Sequence, residues 1–284
     1  MAGSEFAVRP PHPSLRWLVT RYIGYRQQDV RLPVHRGLPS RHVTLNISLA
    51  GPVRMIAMPR PDQAPTSARA LAGGLHTAPV LIAQDRDQCG IQLELNPLGT
   101  RALLGLPAAE LSGYVVDLAD LGPGRLATLP ERLADAPGWR RRFAILDEVL
   151  RAESAGVAAP APEIDWAWRR LCAARGLLRV DALAAEVGWS RRHFGERFRR
   201  ELGLPPKQAA RVLRFERAGE LLRRHGRLDL AELAVTSGFY DQAHLTNEWR
   251  ALAGCSPGAW IAEELPELSF DQETAGTAAA DSTV

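Results

Sequence analysis

Cysteine is scarce in this chain of 284 residues, and Cys89, Cys172 and Cys255 stand far apart with no CxxC or CxxH pairing. This spacing argues against a disulfide framework and a thiolate metal site, and it is typical of a reducing cytosol. No apolar run reaches the roughly 18 residues that a membrane span needs. The start of the chain lacks a secretory signal pattern, and residues 1–6 are interpreted as a cloning remnant. We therefore expect a cytoplasmic protein.

Lysine is nearly absent as well, because Lys207 is the only lysine among 35 basic residues. Residues 165–260 hold 17 Lys and Arg against 11 Asp and Glu, whereas residues 261–284 hold six acids and no base. A basic segment suits a polyphosphate partner, and arginine is the better two-point donor to guanine and phosphate. The charge pattern therefore indicates a nucleic-acid partner for this part of the chain.

A repeat within residues 181–260 is the most informative positive feature of the sequence. Each copy predicts a short helix, a glycine-containing turn and a second helix, which together make a helix-turn-helix unit. Two such units favour a protein that binds a long stretch of double-stranded DNA. Leu183-Ala184-x-x-x-Gly188 returns 50 residues later as Leu233-Ala234-x-x-x-Gly238, and Ser190-x-x-x-Phe194-x-x-x-Phe198 returns 51 residues later as Asp241-x-x-x-Leu245-x-x-x-Trp249.

The second helix of each unit is expected to begin at a capping residue and to carry an apolar stripe. Ser190 and Asp241 occupy the cap position, where a side-chain oxygen accepts an otherwise unpaired backbone N–H. Apolar residues four apart mark the face that is buried whatever the function. These stripes are Phe194, Phe198 and Leu202 in the first unit, and Leu245 with Trp249 in the second.

The exposed face of the first unit is strongly charged. We expect Arg192 to meet a base edge and Arg191 and Arg199 to meet phosphates. Gly195 permits close approach to DNA, while Glu196 either accepts from cytosine N4 or pairs with Arg192 or Arg199. The predicted DNA-binding residues of this unit are Ser190, Arg191, Arg192, Gly195, Glu196 and Arg199.

The exposed face of the second unit is less charged. Gln242 and Asn247 are side chains that recognise adenine through two hydrogen bonds, and Ala243 or the Thr246 methyl can meet a thymine methyl. This face is therefore expected to contribute specificity more than affinity. The predicted DNA-binding residues here are Asp241, Gln242, Ala243, Thr246, Asn247 and Arg250.

A long helix is predicted between the units, over residues 206–224, with Pro206 in its first turn. If the units meet successive major grooves on one face of DNA, they lie roughly 34 Å apart.

The first half of the chain predicts a small, mainly β domain. Val43, Leu45 and Ile47 alternate with polar residues as in a half-buried strand. Further strands are expected at 53–58, 80–83 and 91–95 in hairpin order, with a loop at 59–74. Helices are expected at 15–24, at 100–104 and at 126–153, the last divided at Pro137-Gly138.

Two further motifs lie in the carboxyl-terminal hundred residues: Gly238-Phe239-x-Asp241-x-x-x-Leu245 with Gly254-x-Ser256-Pro257 after it, and Arg214-Phe215-x-x-Ala218-x-x-Leu221-Leu222. Through these motifs this part of the chain resembles the DNA-binding domain of the AraC/XylS family of transcription regulators. The sequence departs from the family pattern at Leu245, Trp249 and Asn247. The first two departures concern packing, and the third leaves open which base that position recognises.

The resemblance implies a multidomain fold: an amino-terminal, mainly-β, cupin-like barrel with packed helices (α+β), and a carboxyl-terminal all-α domain. In that family, the helices that correspond to residues 126–150 often form a dimer face. We predict a regulatory and dimerisation domain at 7–153, a linker at 154–162, the DNA-binding domain at 163–264, and a largely disordered tail at 265–284.

Three functions compete at this stage. The first is a ligand-responsive regulator whose barrel binds a small-molecule effector. The second is a DNA-binding regulator whose amino-terminal domain only dimerises or docks another protein, and the third is an enzyme fused to a DNA-binding module. Expected partners are double-stranded DNA, the effector, RNA polymerase and a second copy of the chain bound through the amino-terminal domain. No catalytic residue, cofactor or metal site is predicted, and the effector-binding residues are not identified.

Overall fold

The computed structural model describes residues 4–121, 125–156, 160–225 and 229–265. Strands dominate up to Asp117, and helices dominate after it, as the α+β and all-α predictions require. The tail expected at 265–284 lies outside the described residues, apart from Leu265.

Two antiparallel sheets form an open barrel in the amino-terminal part. The first sheet has the strand order β1-β2-β9-β4-β7-β10, and the second has the order β3-β8-β5-β6. Both sheets line one cavity, with no strand pairing between them among the described residues. The strands are β1 Ser4–Arg9, β2 Val19–Gln27, β3 Val34–Gly37, β4 Val43–Ser48, β5 Val53–Ala57, β6 Thr66–Ala68, β7 Ala70–Gly73, β8 Val80–Ala83, β9 Gln88–Leu95 and β10 Val115–Asp117.

The alternation predicted for β4 is confirmed, because Val43, Leu45 and Ile47 are fully buried. The predicted hairpin order is only partly confirmed, since the strands at 53–58 and 80–83 pair while the other predicted neighbours do not. Strand β4 pairs with β9 and β7, whereas β5 pairs with β8 and β6. Strands that follow each other closely therefore cross between the sheets, and the turn at Gly51-Pro52 carries the chain from one sheet to the other instead of closing a ladder.

The helix predicted at 15–24 is wrong. Leu15, Leu18, Val19 and Tyr22 are buried at helical spacing, yet Leu15 lies in a 3-10 helix at Pro13–Leu15, Leu18 in the turn after it, and Val19 and Tyr22 in strand β2. The β-branched and aromatic residues of β2 favour an extended chain once β1 and β9 pair on either side.

Besides β2, five strands lie where no strand was expected: β1, β3, β6, β7 and β10. Strands β6 and β7 occupy much of the predicted loop at 59–74. Strand β1 begins at Ser4 and pairs with β2 from Ser4 opposite Gln27, so residues 4–6, which were set aside as a cloning remnant, belong to the sheet.

Four helices complete the amino-terminal part: α1 Thr100–Leu104, α2 Ala108–Leu111, α3 Leu129–Ala134 and α4 Gly138–Glu153. Helix α1 confirms its predicted bounds, and the break at Pro137-Gly138 separates α3 from α4 as expected. Phe143 of α4 stacks on Tyr22 of β2 with ring centroids 5.8 Å apart. The apolar residues of 126–150 that suggested a dimer face are buried within this chain, namely Leu126, Leu129, Leu133, Phe143, Leu146 and Leu150.

Helices make up the rest of the described chain: α5 Pro162–Ala173, α6 Val180–Glu186, α7 Arg191–Leu202, α8 Pro206–His225, α9 Leu230–Ser237, α10 Gln242–Ala253 and α11 Pro257–Glu264. Helices α6 and α7 form the first helix-turn-helix unit, and α9 and α10 form the second. Helix α8 has 20 residues and joins the units, so it spans about 30 Å. The predicted connecting helix is thereby confirmed.

Candidate DNA-binding surface and interdomain cavity

Both recognition helices, α7 and α10, start at the predicted caps. The backbone N–H of His193 donates to Ser190 Oγ at 3.2 Å, and that of His244 donates to Asp241 Oδ1 at 2.7 Å. Each bond satisfies one N–H that the first helical turn leaves unpaired. The start of each recognition helix is therefore fixed locally by its own sequence.

The predicted stripes are fully buried, and they anchor the two helices differently. Phe198 lies 6.2 Å from Trp168 of α5, measured between ring centroids. Trp249 lies 4.8 Å from Phe215 of α8 and 5.3 Å from Trp260 of α11. Phe194 also lies 5.6 Å from Phe198, so each recognition helix packs into a cluster of three aromatic rings.

The charged face of α7 lies at the surface, where Arg191, Arg192, Glu196 and Arg199 are exposed and Gly195 is half-buried. Arg192 Nε donates to Glu196 Oε1 at 3.0 Å, and the Arg192 side chain is 90% exposed. Of the alternatives for Glu196, pairing with Arg192 is the one present. An exposed pair of this kind stabilises by only about 0–1 kcal/mol, so DNA can displace either partner.

The face of α10 is exposed and nearly uncharged. Gln242, Ala243, Asn247 and Arg250 are exposed, and Thr246 is half-buried. Within the described residues, the amides of Gln242 and Asn247 have no hydrogen-bond partner, so their donors and acceptors are available to base edges.

Tyr240 is a surface residue that the sequence analysis missed. It lies in the turn before α10 and is 88% exposed, which is unusual for a tyrosine. The signal was present, since Tyr240 sits inside the Gly238-to-Leu245 stretch, but only the residues after the cap were considered. An aromatic ring beside a recognition helix can stack on sugar or donate to phosphate.

Ion pairs join the barrel to the helices that carry the recognition units. Arg41 Nε donates to Glu216 Oε2 of α8 at 2.7 Å, and a terminal nitrogen of Arg41 lies 3.3 Å from Glu220 Oε1. Burial raises the pKa of Glu216, although the Arg41 charge acts in the opposite direction. His35 Nδ1 lies 2.9 Å from Glu264 of α11, and the Arg36 N–H donates to the same carboxylate at 2.9 Å.

The ends of both recognition helices also abut the amino-terminal domain. Gly203 and Gly254, equivalent residues of the repeat, end α7 and α10 in the left-handed conformation. A Cβ on Gly203 would lie 2.3 Å from the Ser112 Cβ, and one on Gly254 would lie 3.2 Å from the Pro79 ring. The barrel and its helices therefore contact each unit at the same point of the repeat.

A cavity of about 1170 Å³ lies between the barrel and the carboxyl-terminal helices. Its walls come from both sheets and from Phe215, Glu216 and Gly219 of α8, with Glu263 and Glu264 of α11 at one side. Sequence patterns could not locate it, because the crossing of strands between sheets was not foreseen. It is large enough for a small molecule and touches the helix that joins the two units.

The described residues show no sign of a metal centre or of a catalytic serine. They contain no group of three or more His, Cys, Asp or Glu residues placed to hold a metal ion. None of their helices is long and apolar enough to cross a membrane. Ser256, within a Gly-x-Ser-x-Gly string, caps α11 by accepting from the Ala259 N–H at 3.2 Å.

Comparison with known proteins assigns the carboxyl-terminal units. Residues 183–263 match the family model of a helix-turn-helix domain, of the AraC type. The fold is similar to that of ToxT from Vibrio cholerae O395, at 9% identity over 85% of this chain and 96% of that chain, with a TM-score of 0.50. A ToxT structure bound to (E)-4-(8-methylnaphthalen-1-yl)but-3-enoic acid is similar at 9% identity over 92% of this chain and 98% of that chain, with a TM-score of 0.50. The DNA-binding domain of AdpA in complex with a target DNA is 28% identical over 36% of this chain and 92% of that chain, with a TM-score of 0.33. No curated protein matches the chain.

Proposed function

We propose that the chain, whose residues 183–263 match a helix-turn-helix domain of the AraC type, is a DNA-binding transcription regulator of the AraC/XylS family, and that a small molecule in the interdomain cavity controls how its two recognition helices meet DNA. The observation that carries the proposal is the composition of the cavity wall. Both barrel sheets and helix α8 line it, and α8 joins the two helix-turn-helix units. A ligand there touches the element that sets the spacing of the units.

The contacts around the cavity support coupling between ligand and DNA. Arg41 pairs with Glu216 and Glu220 on α8, and all three lie beside the cavity or its neighbouring cleft. A ligand that shifts these pairs can favour one arrangement of the two domains over another. The size of that effect is set by the difference between its binding free energies for the two arrangements. The solved ToxT structure with a bound butenoic acid derivative supports a ligand site in a fold of this kind.

At the DNA, we assign Arg192, Gln242 and Asn247 to base edges, and Arg191 and Arg199 to phosphates. Exposure of every one of these side chains supports the assignment. Ser190 and Asp241 cap the two recognition helices and direct the first turn of each toward the DNA. Gly195 and Ala243 allow close approach, and Thr246 and Arg250 flank the contact. We add Tyr240 as a contact to sugar or phosphate.

The second hypothesis is that the amino-terminal domain only dimerises or docks a protein such as RNA polymerase. One specific observation supports it. Strand β1 is an edge of the first sheet, and Phe6 and Val8 on it are 59% and 62% exposed. Exposed apolar edges pair readily with another chain. A homodimer formed through this domain is compatible with either reading, and a cytoplasmic location is part of both.

A variant that fills the cavity distinguishes effector control from dimerisation or docking alone. Gly73 lines the cavity, and a Cβ there would meet its nearest neighbours, Thr44 O and a Val115 methyl, only at 3.9 Å. Gly73→Leu therefore projects a side chain into the cavity with little strain. Ala152→Leu, on the exposed face of α4, adds the same side chain elsewhere.

The experiment first selects duplex DNA from a random pool with the full chain, which should enrich two motifs about one helical turn apart. Affinity for that site is then measured for both variants. Gly73→Leu is expected to change it fivefold or more, a typical coupling of about 1 kcal/mol, while Ala152→Leu leaves it unchanged. Equal affinity for both variants would favour dimerisation or docking alone, and a pool without enrichment would exclude sequence-specific binding.

A further inference from the structure

The inner wall of the cavity on the first sheet is polar but almost free of charge. Asn46 of β4 lies directly opposite Gln92 of β9, and Thr44 lies opposite Glu94. Paired residues on antiparallel strands have Cβ atoms about 5 Å apart. The amides of Asn46 and Gln92, with the Thr44 hydroxyl beside them, therefore form one compact hydrogen-bonding group, which we call the amide patch.

The amide patch has unused hydrogen-bonding capacity. Tyr25 OH donates to Asn46 Oδ1 at 3.2 Å, which turns the Asn46 N–H groups toward other partners. Gln92 and Thr44 make no side-chain hydrogen bond with any residue that the structure describes. Burial raises the pKa of Tyr25 to about 12, so its hydroxyl stays neutral at pH 7. The patch thus offers both donors and acceptors without a formal charge.

The nearest charge to the patch is already neutralised. Glu94 accepts from Arg21 through two bonds of 2.7 and 2.8 Å. His42 Nε2 is 3.5 Å from the same carboxylate, and burial lowers the pKa of His42 to about 4, against the effect of Glu94. Neither Arg21 nor His42 is therefore available as a free cation.

The remaining charges disfavour an anionic ligand. Arg36 is paired with Glu263, and the two other arginines of the lining, Arg31 and Arg223, are exposed to solvent. The cavity is lined by eight carboxylates and four arginines: Asp29, Asp85, Asp87, Glu94, Glu216, Glu220, Glu263 and Glu264 against Arg21, Arg31, Arg36 and Arg223. Most of these carboxylates are already ion-paired, and Arg31 and Arg223 do not lie on the strands that carry the amide patch, so a ligand carboxylate held at the patch would lose water without gaining a counter-charge there.

The opposite wall is apolar. Met55 of β5 pairs with Ile82 of β8, and both line the cavity with Val53 and Val80. A ligand that spans the cavity therefore meets amides on one side and aliphatic side chains on the other.

We propose that the cavity takes an uncharged amphiphile, with an amide or hydroxyl head held by Asn46, Gln92 and Thr44 and an apolar body against Val53, Met55 and Ile82. This assignment rests on the proposed function for the location of the effector site, and it adds the chemical class. It differs from the carboxylic acid seen in the ToxT structure.

The test uses three probes with one apolar chain and different heads: oleamide, oleic acid and oleylamine. Each is added to the full chain below its micelle concentration at pH 7, and binding is measured by calorimetry and by the rise in Tm. Oleamide is expected to bind at least tenfold more tightly than oleic acid or oleylamine. Oleic acid binding as tightly as oleamide overturns the proposal, and so does the absence of binding by all three.

A charge-introducing variant shows where the head binds. Gln92→Glu keeps the shape of the side chain and is expected to reverse the preference, with oleylamine at least tenfold tighter than oleamide. Gln208→Glu, an exposed residue of α8 outside the cavity, makes the same change and should leave the preference as it was. An unchanged preference in folded Gln92→Glu would place the head elsewhere and overturn the assignment.

Failure of this proposal and failure of the proposed function have different outcomes. If oleic acid binds best and changes affinity for the selected DNA, effector control stands and the uncharged class is wrong. If oleamide binds as expected but DNA affinity does not change, the ligand class stands and effector control is wrong.

Discussion

The two recognition helices share their construction and differ in what they expose. Each begins at an oxygen-bearing cap, buries a stripe with residues four apart, and ends at a left-handed glycine. The exposed face of α7 carries arginines and a glutamate, whereas that of α10 carries amides and small side chains. The repeat thus retains the residue types that folding requires, and the largest change in charge lies on the exposed faces that we propose to meet DNA.

The largest expected effect tests the buried stripes. Trp249→Ala and Phe198→Ala should each lower the free energy of unfolding by about 3–5 kcal/mol. Trp249 should cost more, because removing its larger side chain leaves a larger cavity between Phe215 and Trp260. Denaturation in urea measures the difference. Val235→Ala, at a residue 70% exposed, is the control and should cost little. A loss below about 1 kcal/mol at Trp249 would contradict the packing described for α10.

The next effect separates affinity from specificity on DNA. Arg192→Ala and Asn247→Ala should each cost about 1–3 kcal/mol on the selected site and relax preference at one base pair. Arg199→Ala should weaken binding on all sequences and reduce the salt slope by about 1. Titrations of matched and scrambled duplexes at several salt concentrations distinguish these outcomes. Equal losses on every duplex from all three changes would refute the division of roles.

The caps offer a smaller effect. Ser190→Ala and Asp241→Ala should each lower stability by about 0.5–2 kcal/mol, since each removes one hydrogen bond at a helix start. Asp241 also places a negative charge at the positive end of α10, which adds about 0.3–1 kcal/mol. Asp241→Asn retains the acceptor and should recover the capping part only. Thermal unfolding of the three variants gives the ranking, and no difference between Asp241→Asn and Asp241→Ala would argue that the cap bond contributes nothing.

The smallest effect on stability concerns the pair between Arg192 and Glu196. Glu196→Gln should change the free energy of unfolding by less than about 1 kcal/mol, because both side chains are exposed. Affinity for DNA should rise, since a negative charge is removed and Arg192 is released. A loss of affinity confined to sites with a cytosine at one position would instead assign Glu196 to that base.

The sequence predicted the carboxyl-terminal part far better than the barrel. Caps, stripes and the helix at Pro206 depend on residues near one another, so local spacing determines them. Strand partners do not. Nothing near Val43 or Val53 shows that their strands belong to different sheets, and that choice depends on β9 and β8 much later in the chain.

The helix predicted at 15–24 failed for a related reason. Leu15, Leu18 and Tyr22 have helical spacing, but they lie in a 3-10 helix, the turn after it and strand β2. The cavity and its amide patch also could not be predicted from the sequence, because Asn46 and Gln92 become neighbours only through long-range strand pairing. Tyr240, which we propose as a DNA contact, was not predicted from the sequence although it lies within the Gly238-to-Leu245 stretch.

Helix α8 also sets the rotational phase of the two units, because its 20 residues form one continuous helix between them. Each residue of an α-helix turns the chain by about 100°, whereas one base pair turns B-DNA by roughly 35°. Inserting a single residue into α8 would therefore rotate α10 about the axis of α8 by an angle that corresponds to about three base pairs. Compensation by a shift along the DNA would also require a change in rise, so the length of α8 fixes which half-site spacings one chain can bridge.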